Sequence, residues 1–333
     1  MFKSNFSRPK IVSVGAGNVG ATFAQYCAEM ELGDVLLLDI VEGLPQGKAL
    51  DLMQAGVVRG YSVSIKGSND FADMKDADVI VISAGFPRKP GMSRLDLLEK
   101  NGKIIANICD YIKRFAPGAI VIVITNPLDI MVQLAFHLLN HPTAKIMGMA
   151  GCLDSARMCS FIAEELGVSQ KQVDAMVLGS HGDLMVPVPE YTTVAGISVK
   201  EFISAERLEQ IVDRTRKGGA EIVSLLKTGS AYYAPAASSA RMVQAILKDE
   251  KALLPCAVYT QGEYGISGVF VGLPCILGAN GVEKIVEIPL SNENKIALMK
   301  SVEEVKQGIQ SVSYTHLRAH ETPEHLVCRL LLE

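Results

Sequence analysis

KIVSVGAGNVG, residues 10–20, is the stretch on which the fold turns. Ile11, Val12 and Val14 form a short apolar run. Gly15, Ala16, Gly17, Asn18, Val19 and Gly20 follow, and Ala21–Met30 then has helical character. A strand, a G-x-G-x-x-G turn and a helix in that order suit a dinucleotide. Gly15 permits the tight turn, Gly17 lets the backbone approach a pyrophosphate, and Gly20 lets helix and strand pack closely. The opening turn of the helix adds free N–H groups and the positive end of its dipole. Alone, the motif is weak evidence, because glycine-rich turns also arise structurally. It is joined by Asp39, nineteen residues after Gly20, at the end of the apolar run Val35–Ile40. A carboxylate there accepts from both ribose hydroxyls and repels a 2′-phosphate, which points to NAD over NADP. The plainer reading of Asp39 is a residue ending a strand at a turn.

Further along, Val79–Ala84 and Ala119–Thr125 are near-continuous Val/Ile runs, separated by a long helical stretch, Leu95–Phe115. Such runs between helices predict a parallel sheet covered on both faces, the Rossmann-type doubly wound α/β class. From Lys145 the rhythm changes. A strand at Lys145–Ala150, a helix at Ser155–Leu166 and a β-rich stretch at Val173–Val199 precede helices at Ala205–Leu226 and Ala237–Leu247. A strand-rich block, Cys256–Leu290, and a helix, Glu293–Ile309, follow; the helix places Ile296, Met299, Val302, Val305 and Ile309 roughly on one face. The expected organisation is a nucleotide domain over 8–149 and a mixed α+β catalytic domain over 150–311, tightly apposed. Residues 312–333 (VSYTHLRAHETPEHLVCRLLLE from Val312) resemble an adaptor-derived translation, so they are set apart as a non-native tail, including the helical zinc-type spacing of His316 and His320.

Composition bounds the function classes. With 49% hydrophobic and 20% charged residues and a net charge of −4, the chain has no basic footprint for nucleic acid. A small anionic substrate must then be met by a few placed arginines. The apolar runs are strand-length, too short to span a bilayer, and the N-terminus lacks an apolar leader. Seven scattered cysteines without C-x-x-C pairs read as reduced thiols, and cytoplasm is the expected compartment. No His/Cys/Asp cluster has metal-ligand spacing, so no metal is expected.

Four segments carry chemistry: FPRKPGMSR (86–94), TNPLD (125–129), GCLDSAR (151–157) and GSHGD (179–183). Outside the tail, His181 alone among the histidines sits in a polar, glycine-flanked turn; His137 and His141 read as packing or surface residues. Taken by itself, His181 is more readily structural than catalytic. Asp154 reads as a helix N-cap or as the partner of a histidine. Arg157 lies one helical turn on and presents a planar fork suited to a carboxylate. Arg88 and Arg94 sit in a segment that Pro87, Pro90 and Gly91 keep from regular structure, which reads as a lid or as solvated loop charge.

Together with the glycine turn, these segments resemble the lactate/malate dehydrogenase family, in its lactate-dehydrogenase-like bacterial branch, over residues 8–311. The resemblance implies hydride exchange between NAD and a 2-hydroxy acid. His181 would carry the proton, Asp154 would orient it, and Arg157 would grip the C1 carboxylate. Arg94 would polarise the carbonyl on lid closure. Asn126 would contact the substrate, with Asn101, Ile124, Thr125 and Asn126 beside the cofactor, and Ala231 would form a pocket wall. Arg88 falls at the specificity position, where a guanidinium suits the second carboxylate of malate or oxaloacetate. The family also implies a homodimer or homotetramer. Open alternatives are a lactate dehydrogenase, an NAD-dependent glycosidase with a metal-binding Cys/His set, and an inactive dinucleotide-binding module.

Overall fold

A computed structural model describes residues 8–86 and 94–312, with side chains for 8–86 and 95–310. Arg88, the rest of the expected lid and the tail from residue 313 lie outside these, as does the side chain of Arg94. The first half comprises β1 (Lys10–Val14), α1 (Asn18–Glu29), β2 (Asp34–Leu38), α2 (Leu44–Arg59), β3 (Ile65–Ser68) and β4 (Val79–Ile82). It continues through α3 (Arg94–Phe115), β5 (Ile120–Val123), α4 (Leu128–Leu139) and β6 (Ile146–Gly148). The second half opens with α5 (Ala150–Leu166). Five two-residue strands follow, β7 (Val173–Asp174), β8 (Val177–Leu178), β9 (Val186–Pro187), β10 (Thr193–Val194) and β11 (Ile197–Ser198). Then come α6 (Ala205–Leu226), α7 (Tyr233–Leu247), β12 (Ala252–Gln261), β13 (Ser267–Gly278), β14 (Gly281–Ile285) and α8 (Asn292–Val312).

One sheet crosses both halves in the order β14-β13-β12-β6-β5-β4-β1-β2-β3. From β6 to β3 the strands are parallel, with Val12 opposite Leu36 on one side and Ile80 on the other. This is the expected doubly wound Rossmann-type arrangement. Every residue of β4 (VIVI) and β5 (IVIV) is buried, because helices cover both faces. The strand order reverses between β1 and β4, so their C-terminal ends flank a crevice, where ligands collect in open α/β sheets. The second half is joined to that sheet. β12 runs antiparallel to β6 through Ala257 and Gly148, and β13 and β14 extend the sheet outward. A smaller apolar cluster, including Met158, Ile162, Val194 and Ile211, sits beneath α5 and α6.

Several expectations are corrected. Helix α5 starts at Ala150, so Asp154 lies one turn inside the helix and the N-cap position falls to Met149. Helix α7 starts at Tyr233 rather than Ala237. The stretch expected to be β-rich, Val173–Val199, holds only minimal strands between 3₁₀ turns. On α8 the buried residues are Leu298, Ser301, Val302 and Val305, whereas Ile296 and Met299 are 70% and 47% exposed. Packing against α4 and β13 selects a face rotated from the one that apolar spacing alone suggested.

Candidate active site

The glycine turn leaves β1 at the reversal of strand order. Gly15 has φ +104°, and a Cβ there would lie 2.7 Å from the Ala84 nitrogen. A Cβ at Gly20 would fall 1.8 Å from the Gly15 carbonyl oxygen. Both are therefore required by the fold itself. Gly17 differs: its φ is −66°, and a Cβ would meet nothing within 4 Å. Its missing side chain leaves an open cradle against a helix start that no side chain caps, which fits an approaching pyrophosphate. Ala16 is buried, Gly17 and Asn18 are exposed, and Val19 is half-buried, so the crest of the turn faces outward. Asp39 closes the turn from the end of β2, its Oδ2 accepting from the Ala16 N–H at 2.7 Å and its Oδ1 from the Val41 N–H at 3.0 Å. Gly17→Val should leave the melting temperature unchanged and raise the KM for NADH about tenfold or more, roughly 1.4 kcal/mol of lost binding. A thermal melt beside steady-state kinetics checks both halves of that expectation.

The loops after β4 and β5 line the same crevice. Asn101, on α3, is 1% exposed and ties these loops together. Its side-chain oxygen accepts from the Phe86 N–H at 2.8 Å, and its amide nitrogen donates to the Asn126 carbonyl at 2.7 Å. Thr125 donates to the Ala84 carbonyl at 2.7 Å. Ile124 is buried at the end of the same strand, and Asn126 is exposed at the crevice mouth.

Helix α5 and the loop after β8 bring together Asp154 and Arg157, one helical turn apart, and His181, 27 residues beyond Asp154. His181 Nδ1 lies 2.9 Å from Asp154 Oδ2. Arg157 Nη1 donates to Asp154 Oδ1 at 3.0 Å. Asp154 is 1% exposed, so its charge acts in a medium that screens it poorly. Burial of His181 pulls its proton affinity down, but the charge and hydrogen bond of Asp154 outweigh that, and its pKa is raised above the ordinary 6.5. Nδ1 is committed to Asp154, which leaves Nε2 to exchange a proton with a bound molecule. The Arg157 Nε is buried and unpartnered among the described residues. Gly218 and Gly219 of α6 make room for this guanidinium, since a Cβ at Gly218 would come within 3.3 Å of the Arg157 Cδ. An orphaned donor of this kind fits an incoming carboxylate.

The histidine loop is itself clamped. Gly179 exchanges backbone hydrogen bonds with Gly272 of β13, at 2.9 and 3.0 Å. The Ser180 N–H donates to Ser301 Oγ of α8 at 2.6 Å, and the His181 N–H donates to Asp129 Oδ2 of α4 at 2.8 Å. Sequence reasoning assigned no role to Asp129, Ser301 or the Gly218–Gly219 pair. Asp129 did stand inside the TNPLD segment; Ser301 and the glycines carry no local signal.

Residues 9–148 match the model of the lactate/malate dehydrogenase NAD-binding domain, and residues 152–315 match the lactate/malate dehydrogenase α/β C-terminal domain. The chain belongs to the lactate/malate dehydrogenase family. It is an oxidoreductase of that family, and its first half is an NAD-binding domain. This lactate/malate dehydrogenase is 56% identical over 307 residues to the malate dehydrogenase of Rhodopirellula baltica, covering 92% of this chain and 98% of that one. It is 52% identical over 305 residues to the malate dehydrogenase of Roseiflexus sp. (strain RS-1), covering 92% and 99%. Among solved structures it superposes on Cryptosporidium parvum malate dehydrogenase with a TM-score of 0.90 at 43% identity, covering 92% and 99%. It superposes on the lactate dehydrogenase of that organism, complexed with lactic acid and NAD, with a TM-score of 0.89 at 40% identity, covering 92% and 98%. Scores this close mean that backbone shape does not discriminate the two substrates; the side chains of the pocket must.

Proposed function

We propose that this chain is an NAD-dependent malate dehydrogenase, interconverting (S)-malate and oxaloacetate. The observation that carries the reading is the half-buried Arg157–Asp154–His181 array, which sets an anion-binding guanidinium beside a proton-carrying imidazole. When bound, NAD would supply the hydride acceptor for C2 in malate oxidation, and NADH the donor in the reverse direction. Gly15–Gly20 and Asp39 would hold the dinucleotide, with Asn101, Ile124, Thr125 and Asn126 beside its nicotinamide end. Arg157 pairs with the C1 carboxylate and fixes C2 relative to His181 Nε2. In oxidation, neutral His181 takes the hydroxyl proton, and Asp154 stabilises the imidazolium that results. In reduction, the imidazolium returns that proton to the oxygen at C2. The resemblance assigns to Arg94, whose backbone opens α3, the polarisation of that oxygen.

Selection of malate over lactate rests on Arg88 and on the 50–56% identical relatives, which are named malate dehydrogenase. At the specificity position that the resemblance gives Arg88, a guanidinium would go unpaired opposite the methyl of pyruvate and would pair with the second carboxylate of oxaloacetate. Sites that leave polar groups unpaired reject the wrong analogue by about 10⁴-fold. Steady-state kinetics with the two keto acids in parallel should therefore give a kcat/KM ratio of about that size in favour of oxaloacetate. Equal values would overturn the assignment.

A homo-oligomer is part of the same reading. Leu50, Met53, Val57 and Val58 form an apolar stripe on the outer face of α2, with Val57 89% exposed, and Leu225 and Leu226 add a second patch at the end of α6. No helix among the described residues is long and apolar enough to cross a membrane. The six described cysteines are free, which suits a reducing cytoplasm. The glycosidase alternative finds little support: Cys152 is a half-buried thiol that donates to the Ser238 carbonyl, and desolvation pushes its pKa up to about 11. A depression of about 290 Å³ lined by Phe161, Glu164, Glu165, Arg207 and Arg214 shares no residue with the active site. Its arginines are matched internally, Arg207 to Glu165 and Arg214 to Glu164 and Glu221.

A further inference from the structure

Asp129 is the second carboxyl group at the catalytic histidine. It stands in the first turn of α4, is 5% exposed, and spends one oxygen on the backbone N–H of His181. Its other oxygen, Oδ1, is buried and has no partner among the described residues. Leaving a buried acceptor unmade is unfavourable, the more so if the group is charged. A loop anchor alone needs only an acceptor, and a neutral amide would serve. The carboxylate brings a charge as well, and that charge interacts with the imidazole and with Asp154. Among the described residues, the charged groups acting on the His181 ring are Asp154 and Arg157 from α5 and Asp129 from α4. The other two clamps of the loop, Ser301 of α8 and Gly272 of β13, are uncharged. Asp154 is shared between Arg157 and the imidazole, and Asp129 adds a second negative charge beside the ring, smaller in effect than that of Asp154.

We propose that Asp129 is a positioning residue that acts through His181, fixing its backbone and stabilising the imidazolium by its negative charge. The proposal rests on the reading of His181 as the proton carrier. Burial pushes the Asp129 carboxyl up to about 6, against the opposing pull of His181, so the support it gives the ring lapses as the pH falls through that region. The sign of the effect follows. A nearby negative charge favours the charged ring, so removing it lowers the pH at which His181 gives up its proton. Malate oxidation needs the neutral ring and oxaloacetate reduction the protonated one. Both limbs should therefore move toward lower pH in the variant.

Asp129→Asn keeps the shape and an oxygen acceptor for the His181 N–H but removes the charge. The expected result is an acid-side midpoint of kcat/KM for malate that is lower by about half a unit to one unit. NMR titration of the His181 ring in the full chain, assigned by its loss in His181→Gln, should move by the same amount. An unchanged ring midpoint in Asp129→Asn overturns the proposal and reduces Asp129 to an anchor. A ring midpoint that moves while the rate profile stays still supports the coupling and instead overturns the role given to His181. Asp129→Ala also removes the anchor, so its kcat should fall below that of Asp129→Asn; equal kcat in two variants of equal melting temperature overturns the positioning half.

Discussion

Arg88→Gln should lower the preference for oxaloacetate over pyruvate, measured as the ratio of their kcat/KM values, by about 10²- to 10⁴-fold. Two effects multiply. Oxaloacetate loses a charge-assisted pair of about 1.5–3 kcal/mol, and pyruvate no longer leaves a desolvated guanidinium unpaired, which is worth a similar amount. Each is about a 10- to 150-fold change. Because the pairing is with the distal carboxylate, the KM for NADH should stay where it was. An unchanged keto acid ratio would remove the basis for assigning malate, while the redox chemistry built on His181 would stand.

His181→Gln should lower kcat in both directions by about 10²- to 10⁴-fold, the usual contribution of a positioned acid or base. Glutamine is neutral at every working pH and leaves room for the substrate, so NADH affinity, read by fluorescence titration, should be unaffected. The wild-type profile carries the complementary signature. His181 holds its proton to a higher pH than an ordinary histidine, because Asp154 outweighs the effect of burial. The rate of malate oxidation should therefore fall on the acid side with a midpoint above 6.5. Oxaloacetate reduction should fall on the alkaline side through the same group. The glutamine variant should show neither limb.

Much of the fold is legible in short segments, because parallel strands buried on both faces announce themselves as unbroken Val/Ile runs, as at β4 and β5. The glycine turn is legible for a different reason: Gly15 and Gly20 are dictated by local backbone clashes. Helix α2 and strand β3 were not read. The apolar side chains Leu50, Met53, Val57 and Val58 of α2 stand at helical spacing but face outward, so they mark no buried face. The face of α8 was misjudged because Ile296 and Met299 are apolar yet exposed, while the buried Ser301 is polar. Its hydroxyl is satisfied by the backbone and side chain of Ser180, which no spacing rule within α8 could reveal.

At the active site, Asp154, Arg157 and His181, and the pairing of Asp154 with His181, were legible through the resemblance, but the hydrogen bond from Arg157 to Asp154 was not. Asp154 and His181 are separated by 27 residues, and β7 and β8 intervene before the loop returns to α5. Asp129 and Ser301 were missed for the same reason. Each acts on the histidine loop from another element, 52 and 121 residues away in sequence. Side chains that serve through a neighbour's backbone leave no motif of their own.

The clasp between Ser180 and Ser301 has a bearing on how the enzyme comes into being. Domains of a growing chain fold in the order in which they leave the ribosome. The nucleotide turn belongs to the first described strand and helix, whereas the hydroxyl that seats the histidine loop arrives with α8, the last described helix. A nascent chain thus forms its glycine turn well before Ser301 is there to hold the loop of His181 in place.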